Sequence, residues 1–171
     1  KVMASRGTPF KGFLYAGLMI GKNGEINCLE FNARLGDPET QVIVRRMESD
    51  FVPVLLALTD PREKTSVPEM RWKAEAAICV VHAAHGYPGE VRKGDVISGI
   101  EKAGDVEGVV VFHAGTASSD NGSVKASGGR VLNVTALGKD LGQARERAYQ
   151  ASKLIVFEGQ QYRSDIGAFP G

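Results

Sequence analysis

The sequence predicts an α/β (α+β) chain in two parts: antiparallel strands plus a helix, then a small β-rich lobe covered by a helix. Three observations predict it. Two apolar runs flank an Asn23-Gly24 reversal, five short apolar runs punctuated by glycine follow residue 73, and near residue 140 the apolar spacing changes from a strand's to a helix's.

FLYAGLMI (13–20) and INCLEFN (26–32) read as strands, with GKNGE between them as the turn of a β-hairpin, because Asn-Gly tolerates the positive φ of a tight reversal. In GDPETQVIVRRMESDFVPVLLALTD, Asp37 suits a helix N-cap and Pro38 the first helical position. Val42, Val44, Met47, Phe51, Leu55 and Leu58 form the helical stripe, which Pro53 should kink or split. DPREKTSVPEMRWK (60–73) is polar and proline-bearing, so the boundary falls there: a first domain over 1–60, a linker over 61–73 and a second domain over 74–171. Strands are expected at 74–84, 95–100, 108–116, 123–127 and 129–138, with SSDNGS as a turn between the third and fourth. Leu141, Ala144, Ala148, Ala151 and Ile155 then recur at helical spacing, predicting a helix over one face of the sheet.

A chain that is 43% hydrophobic and 24% charged supports a real core. Its 21 basic and 20 acidic residues give a net charge of +1, which advertises neither nucleic acid nor a membrane surface as partner. No apolar stretch approaches the ~20 residues of a membrane span, and the N-terminus lacks a signal-peptide pattern. Cys28 and Cys79 stand far apart in apolar segments and read as buried free thiols, which suits a cytoplasmic protein. Lys1 is not a natural start, so the chain reads as a piece of a longer one.

Glu30, Asn32 and Arg34 alternate along the second strand and so share a face. Two hard oxygen donors about 7 Å apart suit a divalent ion shared with a ligand's phosphates, and an arginine next in the row suits a carboxylate or phosphoryl group. The same pattern is also that of a polar strand face with a surface ion pair. Gly36-Asp37-Pro38-Glu39 places a helix N-terminus after the row, an anion-attracting feature, although Asp37 equally reads as an ordinary cap. Gly128-Gly129-Arg130 either lets backbone approach a phosphate beside Arg130 or is a plain tight turn. His82, His85 and His113 lack metal-ligand spacing and read as satisfied structural residues, and no Walker or dinucleotide-binding glycine pattern occurs.

Taken together, GTPFKGFLYAGLMI, LEFNARLGDPETQV, GYPGEVRKGDVISG, FHAGT, GGRVLNVTALG and FEGQQYRSDIG resemble, in order and spacing along nearly the whole chain, the C-terminal portion of the glycinamide ribonucleotide synthetases (phosphoribosylamine-glycine ligases), which are ATP-grasp enzymes. The resemblance implies that residues 1–60 are the closing part of an ATP-grasp core and 74–171 the family's C-terminal lobe. The ATP-gripping and N-terminal lobes would precede Lys1, leaving this piece inactive alone and with apolar surface uncovered. It implies a ligase of purine biosynthesis: ATP, glycine and 5-phosphoribosylamine give glycinamide ribonucleotide, ADP and phosphate through a glycyl phosphate. It implies Glu30 and Asn32 as ligands of Mg2+ or Mn2+, with ATP as co-substrate. It further implies Arg34 as a catalytic group steadying the acyl phosphate, Asp37 as a substrate contact, and Arg130 with Gly129 as the binding site of the ribose 5-phosphate. A non-catalytic binding module keeping the same fold is the alternative.

Overall fold

The computed structural model describes residues 2–60 and 66–168, so the part of the expected linker at 61–65 and the last three residues of the second domain lie outside the described residues. The chain forms two compact units. The first takes the described residues up to Thr40 together with Met47–Arg71, and the second takes Gln41–Arg46 with the residues from Trp72 onward.

In the first unit a short helix α1 (Val2–Ser5) precedes the antiparallel hairpin of β1 (Tyr15–Ile20) and β2 (Ile26–Asn32). The predicted turn forms, with Gly24 at φ 82°, and Gly21 N–H donates to the Glu25 carbonyl at 2.9 Å. The register runs Tyr15↔Asn32 and Gly17↔Glu30, then jumps to Leu18↔Cys28, which leaves Leu29 as the extra residue of a β-bulge. Both sides of the hairpin are open within this unit: Leu18, Ile20, Ile26, Leu29 and Phe31 are exposed, and so is Cys28. The expectation of a buried thiol there is corrected, because among the described residues no second layer of this unit covers the hairpin; Cys79 is half-buried.

Pro53 does divide the expected helix. The first piece, α2 (Glu39–Arg46), begins two residues later than its expected cap, because Asp37 and Pro38 form a turn and the Gly36 carbonyl accepts from Thr40 N–H at 3.0 Å. The second, α3 (Val52–Thr59), has the proline in its first turn, where a missing N–H costs nothing, and Val52 N–H donates to Asp50 Oδ1 at 2.9 Å.

The second unit is built on β3 (Ala76–Ala83), β5 (Val109–His113) and β8 (Arg130–Gly138), ordered β3-β8-β5 with antiparallel pairing throughout. A smaller sheet is ordered β4-β7-β6, from β4 (Val96–Ile97), β6 (Thr116–Ser118) and β7 (Val124–Ala126). The strand expected at 95–100 is cut short: Gly99 turns left-handed at φ 80° and α4 (Ile100–Gly104) follows, burying Ala103. A Cβ at Gly99 would sit 1.8 Å from the Leu154 carbonyl oxygen, so contact with a distant segment fixes the break. The strand expected at 108–116 likewise breaks at Gly115, whose N–H donates to the Arg130 carbonyl at 2.8 Å.

The predicted final helix is α5 (Leu141–Ser152). Asp140 caps it by accepting from Gln143 N–H at 2.8 Å, while Gln143 Oε1 accepts from Lys139 N–H at 2.9 Å. Ala144, Ala148 and Ala151 are fully buried against the sheet, and a Cβ at Gly138 would meet Ala144 N at 2.3 Å, so helix and strand approach to backbone distance. Leu132, Val134, Ala136 and Val80 complete the core at 0% exposure. Leu132→Ala is expected to lower unfolding free energy by about 2–5 kcal/mol and Asp140→Ala by about 1 kcal/mol. Urea denaturation of both variants checks the order, and equal losses would contradict a core centred on β8.

Candidate functional site

The expected site residues divide between the units: Glu30, Asn32, Arg34 and Asp37 stand in the first, Gly129 and Arg130 in the second. Each group is positioned by its own elements.

Glu30 and Asn32 lie on β2 beyond the bulge, two apart, so they share a face as expected. Glu30 stands opposite Gly17, where a Cβ would lie 3.2 Å from Glu30 Cγ; the glycine therefore leaves that side chain its room. Asn32 is half-buried opposite Tyr15. Arg34 departs from the expected row, because β2 ends at Asn32 and Arg34 sits in the following bend, its Nη1 donating to the Leu35 carbonyl at 3.0 Å. Asp37 is half-buried in the turn before α2.

Two residues that sequence reading passed over join this group. The Tyr15 hydroxyl donates to Glu39 Oε1 at 3.3 Å, and the Glu39 carboxylate lies so close to Gly36 that a Cβ there would be 2.2 Å from Oε2. The negative charge of Glu39 holds the Tyr15 phenol above its ordinary pKa, with burial, the Glu39 hydrogen bond and Glu30 adding to the effect. Tyr15 thus feels both carboxylates. No sequence signal gave Tyr15: counted from the turn, the register would set it across from Phe31, and only the bulge at Leu29 brings it opposite Asn32. Among the described residues no three His, Cys, Asp or Glu side chains gather as a metal cage. What the strand offers instead is one carboxylate and one amide oxygen, a donor set that fits a hard divalent ion completing its shell with phosphate oxygens and water.

In the second unit Arg130 is the first and only exposed residue of β8. It lines a cleft of about 390 Å³ with Val81, Tyr87, Gln161, Tyr162 and Arg163. Gly129 is half-buried: a Cβ on it would sit 2.7 Å from Tyr87 Cδ2, so the tyrosine ring takes that space, and the Gly129 carbonyl accepts from Ala84 N–H at 2.8 Å. The glycine is what lets Tyr87 lie beside Arg130.

One wall of the cleft is backed by His82, which is fully buried and stacked on Tyr162 with ring centroids 4.5 Å apart. The expectation of a structural histidine fits its burial, but neither ring nitrogen has a hydrogen-bond partner among the described residues. Burial therefore pushes His82 down to about 4. His113 differs: it is exposed, with Nδ1 3.0 Å from Thr116 Oγ1.

The family described as "Phosphoribosylglycinamide synthetase, C domain" matches residues 77–169, and "Phosphoribosylglycinamide synthetase, ATP-grasp (A) domain" matches residues 1–40. A phosphoribosylamine-glycine ligase of Vibrio parahaemolyticus is 51% identical over 165 residues, covering 96% of this chain and 38% of its own length. The chloroplastic phosphoribosylamine-glycine ligase of Arabidopsis thaliana is 50% identical over 169 residues, covering 98% of this chain and 31% of its own. Among solved structures, phosphoribosylamine-glycine ligase from Thermotoga maritima superposes with a TM-score of 0.78 at 36% identity, over 95% of this chain and 39% of that one. The N5-carboxyaminoimidazole ribonucleotide synthetase of the same organism, at 18% identity and a TM-score of 0.64 over 91% of this chain and 39% of that one, shares the fold. The chain thus spans less than two-fifths of the length of these relatives.

The lowered pKa of His82 has a stability consequence. The folded chain leaves it neutral down to about pH 4, whereas the unfolded chain protonates it near 6.5, so between those values unfolding takes up a proton. Stability should fall as pH drops from 6.5 to 4, by roughly 3 kcal/mol from this residue. Denaturant midpoints across that range should show the slope, and His82→Phe should flatten it; an unchanged slope in the variant would refute the assignment.

Proposed function

The chain belongs to the phosphoribosylglycinamide synthetase family, and from that premise we propose that it is the metal-bearing and C-terminal part of a phosphoribosylamine-glycine ligase of purine biosynthesis. The single observation that carries the reading is the hairpin strand on which Glu30 and Asn32 stand together, opposite Gly17 and Tyr15, within the segment matched to the ATP-grasp domain. We assign residues 1–60 to the closing part of that core, 61–73 to a linker and 74–171 to the C-terminal lobe. The exposed apolar residues of the hairpin support a core that continues beyond these strands. The protein is assigned to the cytoplasm; among the described residues no helix is long and apolar enough to cross a membrane.

The substrates in this reading are ATP, glycine and 5-phosphoribosylamine. A glycine carboxylate oxygen attacks the γ-phosphorus of ATP and ADP leaves; the amine of phosphoribosylamine then attacks the glycyl carbonyl carbon and phosphate leaves. Both steps build or move negative charge, so positioned cations and oxygen ligands supply most of the catalysis. Glu30 and Asn32 would hold the divalent ion, Mg2+ or Mn2+, which when bound neutralises phosphate charge. Tyr15 fixes the Glu39 carboxylate beside that pair. Arg34 is exposed at the end of the strand, where its guanidinium can reach a carboxylate or acyl phosphate by exchanging its bond to the Leu35 carbonyl. Asp37, in the turn ahead of α2, is assigned to a substrate amine or ribose hydroxyl. Arg130 and Gly129 are assigned to the ribose 5-phosphate, and Gly129 also makes room for the Tyr87 ring.

In the longer ligase, Glu30→Gln and Asn32→Ala should each lower ADP release dependent on all three substrates by at least the ~10–100-fold that loss of a metal site's outer partners causes. Activity should return partly at high magnesium. Undiminished turnover of both variants at low magnesium would refute the metal assignment.

A further inference from the structure

After α5 the chain runs back along the free edge of β3, and the segment from Gln160 to Ile166 is fastened there by several independent anchors. Arg145 donates to the carbonyls of Ile166 and Ser164 at 3.1 and 2.8 Å, the Tyr149 hydroxyl donates to the Arg163 carbonyl at 2.8 Å, and Tyr162 stacks on His82. Gln161 joins this segment to the cleft. Its main chain pairs with Ala83 in both directions, at 2.8 and 3.0 Å, and its side-chain Nε2 donates to the carbonyls of Ala84 at 3.0 Å and Tyr87 at 2.9 Å.

That amide adds two side-chain bonds to an 84–87 turn that Tyr87 N–H also closes onto the Ala84 carbonyl at 3.2 Å, and the turn carries one wall of the cleft. Ala84 N–H holds the Gly129 carbonyl, and the Tyr87 ring lies in the space that a side chain at residue 129 would fill, next to Arg130. The cleft has a largely apolar lining from Val81, Tyr87 and Tyr162, with Arg130 among the lining residues. Arg163, which lines the same cleft, has Nε and Nη2 on the two oxygens of Asp165 at 2.9 and 2.6 Å. An arginine and two tyrosines lining one cleft suit a molecule with a phosphate at one end and an apolar ring face at the other.

We propose that Gln161 is a positioning residue for this cleft, holding Tyr87 so that it packs on the sugar face of a phosphorylated pentose whose phosphate meets Arg130. The proposal rests on the Arg130 assignment made above and adds what selects sugar phosphate over phosphate alone. Because the Gln161 side chain is exposed and its main-chain bonds survive substitution, the variants keep the fold. Isothermal titration of the chain with ribose 5-phosphate, and separately with inorganic phosphate, reads the two contributions. Gln161→Ala, and Gln161→Glu, which has nearly the same shape but cannot donate, should each weaken ribose 5-phosphate binding by roughly tenfold or more while leaving inorganic phosphate binding unchanged. Arg130→Ala should weaken both ligands. Ribose 5-phosphate bound by both Gln161 variants as by wild type, with Arg130→Ala still impaired, would overturn the role of Gln161 alone. Unimpaired binding by Arg130→Ala would overturn the underlying assignment.

Discussion

The second unit depends on the burial of one strand. From Val131 to Gly138 every residue of β8 is buried, with β3 and β5 hydrogen-bonded to its two edges and α5 packed on it. Each fully buried valine or leucine contributes about 1.5–3 kcal/mol, so the register of β8 is strongly specified: a slip by one residue would turn the whole set over. Arg130 is the residue at which this burial ends. Its backbone is therefore held by the core while its side chain meets solvent and the cleft, which would give the phosphate contact proposed for it a fixed origin.

The first unit solves the same problem with less material. Glu30 and Asn32 gain their common face from strand geometry, and the bulge at Leu29 lies just before them, where such features re-aim side chains. Gly17 opposite Glu30 and Gly36 beneath Glu39 are both places where a methyl group would crowd a carboxylate. Glycines here make room for charge. The Tyr15–Glu39 bond then ties the start of α2 to the first strand, so the carboxylates at the two ends of the β2–α2 connection are fixed relative to each other.

Much of this was legible in the residues. The Asn23-Gly24 turn, the apolar runs of β3 and β8 and the alanine stripe of α5 are local signals, and the structure carries all of them. What escaped is what a distant partner decides. Gly99 ends β4 because the Leu154 carbonyl lies against it, and Gly115 ends β5 because the backbone at 127–130 lies against it. The alternation that placed Arg34 in line with Asn32 holds only while the strand lasts, and the chain bends at Ala33 and Arg34. Glu39 was visible in the motif, but its tie to Tyr15 needs the folded connection. Gln161 lies 74 residues beyond Tyr87, and no spacing rule links them.

Under the proposed function, the longer enzyme would phosphorylate glycine's carboxylate before the amide forms. Turnover of the longer enzyme with glycine labelled by 18O in both carboxylate oxygens tests it most directly. Attack by that carboxylate on the γ-phosphorus, followed by displacement of phosphate from the acyl carbon, predicts one 18O atom in each phosphate released and one retained in the product amide. Unlabelled phosphate, with ADP formed at the full rate, would contradict the account.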